Sequence, residues 1–96
     1  MIKHVVCFKL IDSSEKSKLL TKEMLLSMIG NVKLFTDIEV GTDFLQSARS
    51  YDVILITSFK SKEDLDAYQV DEYHKNVVKP FMHARVIASV AVDFEY

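Results

Sequence analysis

Apolar and polar positions alternate from the start of the chain. In residues 2–11, IKHVVCFKLI, Ile2, His4, Val6, Phe8 and Leu10 fall on one side and Lys3, Val5, Cys7 and Lys9 on the other, the period-two signature of a strand. The first set is a core face that carries one histidine. The second is apolar in the middle and charged at its ends. Asp12, Ser13 and Ser14 then offer capping oxygens, with Glu15 in capping-box spacing after Asp12. A helix is predicted from there to about Ile29, because Leu20, Met24 and Met28 repeat every four residues with Leu25 and Ile29 beside them. Gly30 is placed to stop it. Residues 34–45 favour a strand through Phe35, Thr36, Ile38 and Val40, with Gly41 as the site of a bulge or bend. Residues 46–50 are polar and read as a loop. Residues 51–59, YDVILITSF, form the clearest strand, with Val53, Leu55 and Phe59 on one face and Ile54 and Ile56 on the other. These two strands are predicted to pair as a hairpin.

Ser61, with Asp64 three residues on, opens a second helix with Leu65 and Tyr68 facing inward. Asp71 caps a third helical segment carrying Val77, Val78, Phe81 and Met82. Pro80 lacks the N–H that a helix interior needs and clashes with the preceding turn. The prediction is therefore a helix to about Val78 and a separate turn after it. Residues 85–95 alternate as a last strand, with Val86, Ala88, Val90, Val92 and Phe94 on one face and Ile87, Ser89 and Ala91 on the other. The order is β-α-β-β-α-β with an extra helical turn before the final strand. That is the α+β class in its ferredoxin-like, split βαβ form: an antiparallel four-stranded sheet with helices on one face.

Such a sheet has a second face. Val5, Cys7, Ile87 and Ala91, with one face of the third strand, are expected to leave an apolar patch that no helix covers. Soluble monomers rarely expose large patches of this kind. Two copies packed sheet to sheet would bury it about a two-fold axis, so a homodimer is expected. Composition agrees: 49% of the 96 residues are hydrophobic, which is rich for a chain that can bury only about two-thirds of its surface. The length suits one domain over residues 1–96.

Charge narrows the function classes. The formal net charge is −2 and the lysines are scattered, so a nucleic-acid partner is not expected. The N-terminal apolar stretch is too short for a membrane span and has no small-residue cleavage site. No membrane partner is expected, and a cytoplasmic location is. Cys7 is the only cysteine, which excludes an intrachain disulfide and a zinc site built on several thiols. There is no glycine-rich phosphate loop, no GxSxG elbow and no HExxH helix. Neither a cofactor nor a metal is expected.

Three residues remain that carry chemistry. His4 lies on the core face of the first strand, Tyr68 near the end of the second helix and His74 in the first turn of the third segment. A histidine titrates near neutral pH and a tyrosine hydroxyl can polarise a carbonyl. A helix N-terminus disfavours the imidazolium, so His74 is the candidate base. Together the three suit proton abstraction beside a carbonyl. Each also has a plain structural reading. His4 would be a core histidine bonded to backbone, Tyr68 a packing aromatic, and His74 a residue joining two helices. His83, next to the last strand, reads as surface.

The quoted residues resemble a known family. Ile2 to Leu10, the block Tyr51 to Phe59, Leu65-Asp66-Ala67-Tyr68-Gln69-Val70, His74, and the ending Val90 to Glu95 are similar, in this order, to the stress-responsive dimeric α/β-barrel (Dabb) family. The resemblance implies a ferredoxin-like domain that dimerises through its sheets into a dimeric α/β barrel. Most bacterial members have no assigned activity. Plant polyketide cyclases of the olivetolic-acid type are related to it, and use a histidine base helped by a tyrosine and a first-strand histidine. His74, Tyr68 and His4 are similar to those positions by type and spacing. Many relatives read His-Pro-x-His where this chain has Asp71-Glu72-Tyr73-His74, so its pocket mouth is expected to differ. The leading expectation is a small carbonyl-type ligand held between helices and sheet, with acid/base chemistry. A non-catalytic stress or scaffold dimer and a cofactor-free monooxygenase are the alternatives, the last by fold analogy alone.

Overall fold

The alternation in residues 2–11 becomes β1 (Ile2–Leu10), and the rest of the chain follows the predicted order. The structure is a computed structural model that describes residues 1–96. After β1 come α1 (Glu15–Leu26), β2 (Asp37–Thr42), β3 (Val53–Phe59), α2 (Lys62–Gln69), a π-helical turn over His74–Val78, α3 (Lys79–Arg85) and β4 (Val86–Glu95). The four strands form one sheet in the order β2-β3-β1-β4, and every pairing is antiparallel. This is the expected ferredoxin-like α+β fold.

Cross-strand register assigns the faces. Val6 pairs with Leu55 and Ala91, and Val5 pairs with Ile56 and Val92. The helix side therefore carries Ile2, His4, Val6 and Phe8 of β1 with Val53, Leu55, Thr57 and Phe59 of β3. The far side carries Val5, Cys7, Ile54, Ile56, Val90, Val92 and Phe94.

This corrects the prediction for β4. Ala91 lies on the helix side, opposite Val6, and not with Val5. Ile87 sits where the register shifts: Lys9 pairs with Ala88 but Leu10 with Val86, leaving Ile87 unpaired in a bulge. Both faces of β4 are apolar, so its own alternation cannot say which faces out. The pairing with β1 decides it: Val90, Val92 and Phe94 turn outward, while Val86, beyond the bulge, pairs with the buried Leu10 and faces inward. Gly41 is not a bulge either. It pairs in register with Ile54, and an added Cβ would meet the Ile54 side chain at 3.2 Å.

Helix α1 is capped two residues later than its first capping candidate, Asp12. Ser14 is the cap, accepting from the Ser17 N–H at 3.2 Å, while Asp12 accepts from the Ser14 N–H. Its buried stripe is Ser17, Lys18, Thr21 and Leu25, followed by Met28 just beyond the helix end. Leu20 is 41% exposed, and Leu19 and Ile29 more so. Of the predicted Leu20–Met24–Met28 line, Leu20 turns to solvent, while Met28 is fully buried and Met24 packs against the core. The Lys18 side chain is 1% exposed; its ammonium donates to the Asp43 carbonyl at 2.9 Å and meets Glu15 at 2.8 Å. The aliphatic stem packs inside while the charge finds partners at the edge. The chain leaves α1 through Gly30, whose φ of +86° is the left-handed conformation glycine tolerates.

Pro80 does not break the third helical segment. The backbone widens ahead of it: the Lys79 N–H bonds the His74 carbonyl, an i→i+5 turn. This π-helical turn absorbs the hydrogen bond that Pro80 cannot make, and α3 continues directly with Pro80 in its first turn. The predicted helix end at Val78 and separate turn are replaced by one continuous helical run.

Helix α1 lies over β2 and β3, and α2 over β1 and β3. The buried core between them includes Leu25, Met28, Val53, Phe59, Tyr68 and Val78. Residues Ser89 to Tyr96 at the β4 edge are all exposed. The helical layer thus stops short of that edge, and a cavity opens there.

Candidate functional site

Three elements deliver His4, Tyr68 and His74 to one place. His4 points from β1 to the helix side. Tyr68, on the last turn of α2, is 1% exposed. His74 opens the π-helical turn, its backbone N–H capped by the Asp71 carboxylate at 3.1 Å. The Tyr68 and His74 rings stack with centroids 4.1 Å apart and planes 19° from parallel. His4 meets the other side of the group edge-on, 6.2 Å from the Tyr68 ring.

Hydrogen bonds assign the histidine tautomers. Nδ1 of His74 lies 3.0 Å from the Tyr68 carbonyl oxygen. A carbonyl only accepts, so Nδ1 carries the hydrogen and Nε2 keeps its lone pair. Nδ1 of His4 is paired with the Asp93 carboxylate, which fixes the same tautomer there. Burial pushes the His74 pKa below the ordinary imidazole value, and the nearby Lys79 ammonium and His4 ring push the same way; the Tyr68 carbonyl and Asp71 oppose them. His74 is therefore a neutral imidazole with a free lone pair at neutral pH. Burial, with the Asp71 charge adding to it, raises the Tyr68 hydroxyl above its ordinary range. That hydroxyl donates to the Met28 sulfur at 3.6 Å, a weak acceptor.

All three residues line a cavity of about 660 Å³, within the size range of small-molecule sites. Ten of its 16 lining residues are hydrophobic, so it would hold an apolar body. Phe8 and Leu55 form its wall and do not fill it. Phe81 lies elsewhere, under the Arg85 guanidinium at 4.3 Å. No three His, Cys, Asp or Glu side chains come together in a metal-binding group.

Three further residues were not legible as part of the site. Asp93 pairs with His4 because the two are register partners across β1 and β4. Its signal was the spacing of β4, which becomes readable only once that register is known. Lys79 and His83 also line the cavity, both as exposed side chains of α3. His83 is on the surface as predicted, at the rim of this cavity.

Comparison with known proteins places the chain. The model of the stress responsive A/B barrel domain family matches residues 2–96. The chain belongs to that family. No curated protein matches it. Among solved structures it is similar to a dimeric protein of unknown function with a ferredoxin-like fold from Bacteroides fragilis, at 21% identity and TM-score 0.81, covering 99% of this chain and 95% of that one. A protein of Arabidopsis thaliana is similar at 16% identity and TM-score 0.84, covering 100% and 95%. An antibiotic biosynthesis monooxygenase is similar at 13% identity and TM-score 0.76, covering 100% and 98%. At these identities the likeness carries the fold and not the chemistry.

Proposed function

We propose that this stress responsive A/B barrel domain protein binds a small carbonyl compound between its helices and sheet and moves a proton at the carbon beside the carbonyl. One observation carries the reading: the neutral His74 imidazole, its Nδ1 hydrogen tied to the Tyr68 carbonyl, stands on the wall of a cavity that combines hydrophobic side chains with histidines. In the proposed step the Nε2 lone pair takes the α-proton. The C–H electrons form a carbon–carbon double bond, and the carbonyl π electrons move to oxygen, giving an enolate and an imidazolium. Tyr68 stays protonated to high pH and holds its hydrogen on a weak thioether acceptor. Redirected to the enolate oxygen, that hydrogen would stabilise the charge that develops there. His4, oriented by Asp93, is the second imidazole of the site.

Deuterium incorporation tests it. Acetophenone and methyl hexyl ketone are incubated with the protein in heavy water and followed by proton NMR. Exchange at the α-carbon is expected above the buffer rate, and His74→Gln is expected to remove it. Equal rates with and without the protein would overturn the proposal.

A second reading rests on a different observation. The far face of the sheet presents Val90, Val92 and Phe94 at 51%, 63% and 44% exposure beside Val5, Cys7, Ile54 and Ile56. We infer that two copies close over this face as a homodimer, as the similar Bacteroides fragilis protein is dimeric. The dimer leaves the histidine cavity on the opposite side of each sheet. A purely scaffolding role would need the dimer and not the cavity. The exchange assay separates the two.

A further inference from the structure

The cavity is unusual in its charge. The chain as a whole is acidic, with 14 Asp and Glu against 12 Lys and Arg. Yet no Asp or Glu lines the cavity, whereas Lys79 and the three histidines His4, His74 and His83 do. The two carboxylates bonded to the histidines are occupied: Asp71 caps the His74 backbone N–H, and Asp93 holds the His4 ring.

The π-helical turn helps to create this arrangement. In a regular helix of about 3.6 residues per turn, positions five apart sit well around the circumference from each other. The i→i+5 bond between Lys79 and His74 brings them closer to one above the other. His74, Val78, Lys79, Met82 and His83 consequently all reach the same cavity from one helical run. The Lys79 ammonium donates to the Gln69 carbonyl at 2.8 Å, which holds it across the gap between α2 and α3. An ammonium has three hydrogens, so two remain for a ligand. His83 follows four residues later, on the same side of α3.

We propose that the ligand of this cavity is an amphipathic carboxylate, its head held at the rim by Lys79 and His83 and its apolar body lying against Val6, Phe8, Leu55 and Met82. The inference rests on the cavity being a small-molecule site, as proposed above, and adds the chemical class. It also gives the rim a second effect. A carboxylate on Lys79 offsets a positive charge that now disfavours protonation of His74, so a bound acid makes that imidazole a stronger base.

The test is a matched series of eight-carbon probes: octanoate, methyl hexyl ketone and octylammonium. Affinities are measured by NMR titration at one ionic strength, reading the His74 ring and Met82 methyl signals. Octanoate is expected to bind about tenfold more tightly than the ketone, as one charge-assisted contact gives, and octylammonium most weakly. Lys79→Gln is expected to weaken octanoate binding about tenfold more than ketone binding, removing the preference. Lys79→Glu is expected to reverse it in favour of octylammonium. Both changes are at an exposed side chain, and circular dichroism confirms the fold. Equal binding of octanoate and ketone overturns the inference, as does octanoate that shifts only far-face residues or keeps its affinity in Lys79→Gln. The two proposals fail separately. A ketone that exchanges its α-proton without any carboxylate preference leaves the acid–base reading standing. A Lys79-dependent carboxylate site without exchange leaves only this one.

Discussion

Substituting Val92 with aspartate probes the far face of the sheet directly. Val92 sits on β4 opposite Val5 and is 63% exposed. Full burial of a valine side chain contributes about 2 kcal/mol. The exposed share then gives roughly 1.2 kcal/mol for each copy that closes over this face. A two-fold interface uses the residue twice, so the apolar loss alone is about 2.5 kcal/mol per dimer. At about 1.4 kcal/mol per factor of ten, that weakens association about sixtyfold. The aspartates add an unpaired charge on each side, worth several kcal/mol more if they stay buried. Wild type is expected to sediment as a dimer at micromolar concentration, and Val92→Asp as a monomer with an unchanged circular dichroism spectrum. The side chain points away from the core, so the protomer has no reason to unfold. A wild-type protein that sediments as a monomer would refute the reasoning. So would a Val92→Asp protein that remains a dimer.

Other residues give separate tests. Leu20→Gln is expected to change stability by no more than about 0.5 kcal/mol, whereas Leu25→Ala, 1% exposed in wild type, costs about 2–5 kcal/mol in urea unfolding. Lys18→Met keeps the buried stem but strips the Asp43 carbonyl of its donor; a loss of about 1–2 kcal/mol is expected, with faster amide exchange between Asp43 and Asp52. The folded His74 pKa lies below its ordinary value of 6.5, so the unfolded chain takes up that proton first. Its contribution is full above that pH, declines as the pH falls through it and levels off below the folded value. The difference in urea midpoint between wild type and His74→Gln, followed against pH, should show that step. Asp93→Asn is expected to release the His4 tautomer, seen in ring nitrogen shifts, with a stability cost below about 1 kcal/mol because the carboxylate is half exposed.

Local pattern alone determined a good deal of this protein. The alternation in Ile2–Leu10 and Val53–Phe59, the capping oxygens at Ser14 and Ser61, and the order of elements were all readable without a fold. Period-two and period-four patterns report local backbone geometry, and that geometry follows from neighbouring residues. The inward positions of His4, Tyr68 and His74 were readable for the same reason. What lay beyond the pattern depended on partners distant in the chain. β4 is apolar on both faces, so only its register with β1 could send Val90, Val92 and Phe94 outward and set Asp93 against His4. α1 carries two possible stripes, and docking over β2 and β3 chose the one with Lys18, whose charge needed the Asp43 carbonyl. Pro80 marked a fault in the third helix but not its form. The continuing contacts of that helix favoured a wider turn over a break, and this turn carried Lys79 to the side of His74. Long-range pairing made these choices because each segment alone allowed two answers of similar local energy.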